Sequence, residues 1–246
     1  MADLAVIIGL ALLPGVGNLA GGLVAEFLKT SPRLLNAALH AASGIVIGVV
    51  AIELMPEALN NIPGWSIAAG FALGGVSYVG LEAVIDRAAP TRGRSSSMWM
   101  IYVAVAVDLS SDGLMIGSGS AVATSLAIVL AAGQMMADFP EGYSVIANMR
   151  QKQVPRHQRL AAAFSFPFYC LTVAVLAWFG MRDAPDTVKY LALSFVAGLL
   201  VLAAVEDMLK EAHEAKADTR ESSLAFVGGF TLFALVSAGL GAALDS

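Results

Sequence analysis

Asp108-Leu109-Ser110-Ser111-Asp112-Gly113 and Asp138-Phe139-Pro140-Glu141-Gly142 each lie inside a long apolar run of a chain of 246 residues. A carboxylate in hydrocarbon costs several kcal/mol, so such residues face a cavity, a partner or a bound cation. Four acids in two neighbouring apolar segments predict a cation site inside a membrane.

The chain is 58% hydrophobic and only 13% charged, with a mean hydropathy of +0.76. An average soluble domain carries about 25% charged residues. Several segments reach the roughly 20 residues needed to cross a bilayer. The reading is an all-α polytopic membrane protein with the lipid bilayer as its surroundings. The net charge of -5 carries no message about nucleic acid, and no basic, aromatic-rich soluble face exists to bind it. One cysteine, Cys170, excludes an internal disulfide framework and a cysteine-rich metal site. The N-terminus lacks a basic n-region and a small-residue cleavage site, so the first apolar run reads as a retained helix.

Eight spans are expected, at 4–27, 35–58, 64–85, 98–117, 121–147, 160–180, 188–209 and 223–244, forming one domain over residues 1–246. Pro32, Pro63, Pro90, Pro155 and Pro185 punctuate the breaks. Glycines recur within the spans, among them Gly15, Gly17, Gly21, Gly22, Gly44, Gly48, Gly70, Gly74 and Gly75, and small residues let helices approach closely in lipid. Lys29, Arg33, Arg87, Arg92, Arg94, Arg150, Lys152, Arg156, Arg159, Lys210, Lys216 and Arg220 fall on one side of this topology, and only Arg182 and Lys189 on the other. By the positive-inside rule the basic loops face the cytoplasm and both termini face out, as in a multi-pass protein of the cell membrane.

A weak repeat runs through the chain. Gly44, Glu53 and Glu57 in span two match Gly198, Asp207 and Glu211 in span seven at identical offsets, and Asp112-Gly113 answers Glu141-Gly142. The matched spans run in opposite directions, the mark of an inverted-repeat bundle with its site near the midplane.

On helices, Asp108 and Asp112 share a face at i, i+4, as do Asp138 and Glu141 at i, i+3. Asp108 stands ten residues from Met98 and Asp138 ten from Asn148, both at the cytoplasmic side, which places each about 15 Å deep in a core of about 30 Å. Pro140 has no N–H to give to the carbonyl of Met136, which frees another oxygen. Ser110, Ser111 and Gln134 offer further oxygens. Glu53, Glu57, Asp207 and Glu211 lie near span ends, where they guide ions at the mouths or are simply solvated. No Lys or Arg lies in the interior of any span to pair with the four central acids; Lys189 sits at the very end of span seven. His40, near the cytoplasmic end of span two, reads as a packed or capping residue, and His157 and His213 as solvated ones.

These residues resemble a known family. Ala137-Asp138-Phe139-Pro140-Glu141-Gly142 is similar to the H-[N/D]-x-P-E-G signature of the ZIP (Zrt/Irt-like) metal transporters. Leu54-Met55-Pro56-Glu57-Ala58 is similar to that family's L-L-P-E-A, and Val205 to His213 resembles the family's seventh span, which ends D-E-L-I-P-E-A-H. The resemblance implies uptake of zinc, iron or manganese toward the cytoplasm, a metal site between spans four and five, and a family habit of forming homodimers. By position, Asp108 takes the place of the family's span-four histidine, Leu109 of its asparagine, Ser111 of its proline and Asp112 of its glutamate, while Asp138 and Glu141 match span-five ligand positions. Ala137 stands where many members carry a ligand, and span six holds no acid, which favours one metal site over two.

The expected function is therefore transmembrane transport of a divalent metal ion as substrate, with Asp108, Asp112, Asp138 and Glu141 as ligands, Ser111 and Gln134 as auxiliaries, and no organic cofactor or enzymatic activity. Carboxylates suit manganese, magnesium and calcium, whereas the family implies zinc, and both stay open at this point. Two rivals stay open as well: a proton-coupled carrier of another solute, and a ZIP-like protein that no longer transports. An intramembrane aspartyl hydrolase lacks its Y-D and G-x-G-D motifs here.

Overall fold

The computed structural model describes residues 3–29, 31–88, 94–215 and 219–244; Pro90, Arg92 and Lys216 lie outside the described residues. Among them every regular element is a helix: α1 Leu4–Phe27, α2 Pro32–Gly48, α3 Met55–Leu59, α4 Gly64–Ala88, α5 Arg94–Val122, α6 Thr124–Gln151, α7 Arg156–Met181, α8 Asp186–Ala203, α9 Lys210–Ala215 and α10 Arg220–Leu244. Each expected span falls on a helix. Six segments, Leu4–Phe27, Pro32–Leu59, Gly64–Ile85, Arg156–Met181, Asp186–Glu214 and Arg220–Leu244, are long and apolar enough to cross a membrane.

The helix ends obey local chemistry. The Ser31 hydroxyl accepts from the Leu34 N–H at 3.2 Å, with Pro32 preset for the first turn of α2. Pro155 and Pro185 precede α7 and α8. Gln153 takes φ 58° after α6, and the Gln153 and Val154 N–H groups return to the carbonyls of Arg150 and Met149, the reversal that glycine usually makes.

Spans two and seven are each helical throughout but pass through a π-helical stretch. Val49–Leu54 between α2 and α3, and Ala204–Leu209 between α8 and α9, wind as π-helix. One extra residue per turn rotates the helix beyond it, and Pro56, which cannot donate an N–H, lies just after the first of these segments. Glu53 and Asp207 both lie within them.

Packing divides the helices into two groups of four long helices. In one, α1 lies against α6 and α7, and α5 against α7 and α6; in the other, α2 lies against α10, and α4 against α8. α2 and α10 touch α6, and α8 touches α5, across the boundary. Glycines set the closest approaches. Gly21 meets the carbonyl of Phe139 while Gly142 meets that of Asn18. Gly44 meets the carbonyl of Phe226 and Gly229 that of Ala41; Gly74 meets the carbonyl of Phe195 and Gly198 that of Phe71. In all three reciprocal clasps a Cβ on either glycine would strike backbone that cannot step aside. α5 and α7 close one-sidedly, Gly113 and Gly117 facing the carbonyls of Cys170 and Ala174.

The groups differ in how they are covered. In α10 only Ser222, Gly229 and Phe233 are buried, whereas α6 buries sixteen residues, including Gln134, Asp138 and Glu141. The acid-bearing helices thus occupy the interior, with apolar helices around them.

Candidate metal centre

Asp108 stands midway along α5 and Asp138 midway along α6. Asp112 and Asp138 are 0% exposed, Asp108 7% and Glu141 8%. Asp108, Asp138 and Glu141 each offer a carboxylate oxygen within 4.8 Å of the others. Asp108 and Glu141 act on one another, as do Asp112 and Asp138, so all four acids form one connected cluster.

Two amides join it. The Gln134 Nε2 donates to Asp112 Oδ1, as one helical turn from Gln134 to Asp138 on α6 allows. Asn18 of α1 is fully buried, and its Nδ2 donates to Glu141 Oε2 at 3.4 Å. The sequence pattern does not single out Asn18. Its only signal is an amide flanked by Gly17 and trailed by Gly21 and Gly22 in an apolar run. The contact of Gly142 with the Asn18 carbonyl is what brings that amide to Glu141.

The cluster is short of positive charge and of donors. Asn18 Oδ1, Asp108 Oδ2, Asp112 Oδ2, Gln134 Oε1 and both Asp138 oxygens are buried and receive no hydrogen bond. Among the described residues the ion pairs lie at helix ends, as in Glu26 with Arg156 and Arg159, and Asp186 with Lys189. Two like charges 4 Å apart repel by about 4 kcal/mol even at an effective dielectric constant of 20. Buried oxygens in this arrangement call for a cation or for protons between them.

The auxiliary and mouth residues separate from one another. Ser111 turns its hydroxyl back to the Val107 carbonyl at 3.2 Å, and Ser110 does the same to Ala106 at 2.6 Å. Glu53 accepts from the Ser237 hydroxyl on α10. Glu57 neighbours Tyr190, and Asp207 neighbours Tyr78. Glu211 accepts from Ser144 on α6 at 2.5 Å. Ser144 is one turn beyond Glu141, and both Ser144 and Glu211 line a cavity of about 580 Å³ that reaches Lys29, Arg150 and Lys152 at the basic end of the helices. His40 Nδ1 lies 2.9 Å from the Asn36 carbonyl, and its ring meets that of His213 edge-on, the packed arrangement the sequence suggests for His40.

No family model matches this chain, and a search of curated proteins finds no match either. The chemistry of the centre therefore rests on its own residues.

Proposed function

We propose that this chain is a carrier of the cell membrane that moves a divalent cation, zinc, manganese or iron, toward the cytoplasm through the acid centre between α5 and α6. The observation that carries the reading is the oxygen cluster itself. Asp108, Asp138 and Glu141 converge within 4.8 Å, buried, with orphaned oxygens on Asp112 and Asp138 beside them and, among the described residues, no basic partner. Carboxylate oxygens at that spacing match the ligand demand of a divalent ion.

An eight-span inverted repeat with outward termini accompanies this reading. It is favoured by the reciprocal clasps. The α2–α10 and α4–α8 clasps use glycines and carbonyls at the same offsets, Gly44 answering Gly198 and Gly229 answering Gly74. It is favoured too by the π segments that come after Gly44 and Gly198. The cavity beside Ser144 and Glu211 supplies the way out to the basic, cytoplasmic side, and the boundary between the two helix groups is where alternating access would act. Protons compete with the cation for carboxylates, so binding weakens as pH falls.

The rival is a proton-coupled carrier of another solute. The observation favouring it is that Asp108, Asp138 and Glu141 bring carboxylate oxygens within 4.8 Å of one another, a cluster that protons could serve in place of a cation. Titrating the purified protein in detergent with zinc, manganese, iron(II), cadmium and magnesium separates the two. Saturable binding that disappears in Asp138→Ala/Glu141→Ala supports the carrier of cations. No binding of any of these ions, with the protein folded, overturns it and leaves the proton-coupled reading.

A further inference from the structure

The two amides of the centre are held in a revealing way. Each directs its NH2 group at a carboxylate, Asn18 at Glu141 and Gln134 at Asp112. That contact fixes which end of each amide is nitrogen, since oxygen facing a carboxylate would repel it. The opposite end, Asn18 Oδ1 or Gln134 Oε1, is then a carbonyl oxygen beside the same acids. Both side chains are at most 1% exposed, and neither oxygen receives a hydrogen bond. A buried amide oxygen without a donor is an uncompensated loss of hydration unless something positive meets it.

The elements that deliver these oxygens are rigid. Asn18 is locked by the reciprocal approach of Gly21 and Gly142, and Gln134 is one turn before Asp138 on the same helix. Among the described residues, the ligand groups that converge in the centre include no histidine and no cysteine. Cys170, the chain's one thiol, is buried on α7 near enough to feel the charges of Asp112, Asp138 and Asp108, but it is not one of the converging groups.

We propose that Asn18 and Gln134 are direct ligands of the transported ion through their amide oxygens, completing an all-oxygen site for a hard divalent cation such as manganese, magnesium or calcium. This rests on the carrier reading above and goes further, assigning two ligands outside the acidic motifs and the class of ion. Neutral carbonyls add coordination without adding charge, which suits hard ions that take six or more oxygens. A zinc site is instead usually built from imidazole or thiolate in four-coordinate geometry. With oxygen ligands alone, zinc loses most of the advantage that nitrogen and sulfur would give it.

The test is calorimetry of the full chain in detergent with manganese and zinc separately, on the wild type, Asn18→Leu, Gln134→Leu, Asn18→Asp and Asp138→Ala/Glu141→Ala, each first shown monodisperse. Expected is manganese binding in the wild type that weakens at least about tenfold in each leucine variant and survives in Asn18→Asp, which keeps an oxygen in place. Pulsed electron paramagnetic resonance of bound manganese then reads the ligand atom directly. Asn18→His or, should that variant fail to fold, Gln134→His should introduce a nitrogen coupling that the wild type lacks, and should tilt affinity toward zinc. Unchanged manganese affinity in both leucine variants, with loss in the acid double variant, overturns the amide ligands and leaves the carrier standing. A nitrogen coupling in the wild type, or zinc bound with manganese excluded, overturns the all-oxygen site. Absence of binding by any divalent ion overturns both readings together.

Discussion

The two four-helix groups use one packing device for two different ends. α1 with α6 and α2 with α10 are both closed by reciprocal glycine–carbonyl contacts, Gly21 and Gly142 in the first pair, Gly44 and Gly229 in the second. In the first pair the clasp delivers Asn18 to Glu141; in the second it delivers no acid to the centre. Glu53 and Asp207 of the second group stand instead within its π segments, where Glu53 accepts from the Ser237 hydroxyl. Close packing and ion chemistry are therefore separable here. The glycines set distance, and the residues next to them decide what that distance is for.

The largest expected effect breaks the comparison at its chemical side. Asp138→Ala/Glu141→Ala should abolish binding and uptake of the cation. At a concentration of 100 times Kd, ligand stabilises the wild type by about 2.7 kcal/mol, which for a chain of this size is a rise in Tm of roughly 5–10 °C. That shift should vanish in the double variant, while Glu53→Ala and Asp207→Ala should keep it and slow uptake only. Normal uptake in the double variant, or loss of the thermal shift in Glu53→Ala, would remove the division of labour between the groups.

The next prediction concerns the shared device. Gly142→Val and Gly229→Val both push a side chain into backbone, of Asn18 and Ala41 respectively. Overpacking of this kind costs about 1–3 kcal/mol and sometimes more. Both should lower Tm by several degrees, but only Gly142→Val should also weaken cation binding, because it displaces Asn18. Gly239→Ala and Gly80→Ala meet nothing within 4 Å and serve as controls with little change expected. Equal loss of binding in Gly142→Val and Gly229→Val would mean that the clasp has only a general structural role.

Much of this was legible in the sequence. Asp108, Asp112, Asp138 and Glu141 stand out because a carboxylate in an apolar run has few innocent explanations, and helical spacing points to Gln134. Asn18 is not legible, because an amide is tolerated in a membrane helix for packing as readily as for chemistry, and its partner lies 123 residues away. The π segments also escape, since one added residue in a turn leaves the hydrophobic pattern almost unchanged. The glycines announce close approach, but nothing in the pattern says that Gly44 faces α10 or that Gly21 faces α6. Pairing between helices is a property of the whole bundle, and the sequence holds it only as mutual fit.

A smaller effect sharpens the comparison at the exit. Glu211 accepts from Ser144, and both line the cavity that reaches the basic end. Glu211→Gln keeps the shape and removes the charge. It should slow uptake, with equilibrium affinity for the cation unchanged. A loss of affinity matching that of Asp138→Ala/Glu141→Ala would instead make Glu211 part of the centre itself.

A last contrast lies at the helix ends, where two ion pairs of similar chemistry are held differently. Glu26 at the end of α1 receives the Arg159 guanidinium through two bonds, at 2.6 and 3.0 Å, and also pairs with Arg156 at 3.2 Å. Its side chain is 5% exposed and that of Arg159 11%. Arg159 also donates to the Val154 carbonyl, and Arg150 caps the last carbonyls of α1, so α1, α6 and α7 are knotted together at this end. Asp186 and Lys189 make a single 3.2 Å contact, with the aspartate 80% exposed. Removing one member of a buried pair strands the other, whereas an exposed pair is worth about 0–1 kcal/mol. Arg159→Ala should therefore destabilise by roughly 2–4 kcal/mol, and Lys189→Ala by no more than about 0.5 kcal/mol. Equal, small losses in denaturant or thermal unfolding would show that the knot at α1 is solvated like its counterpart, and that the first helix group is held by its glycine clasp alone.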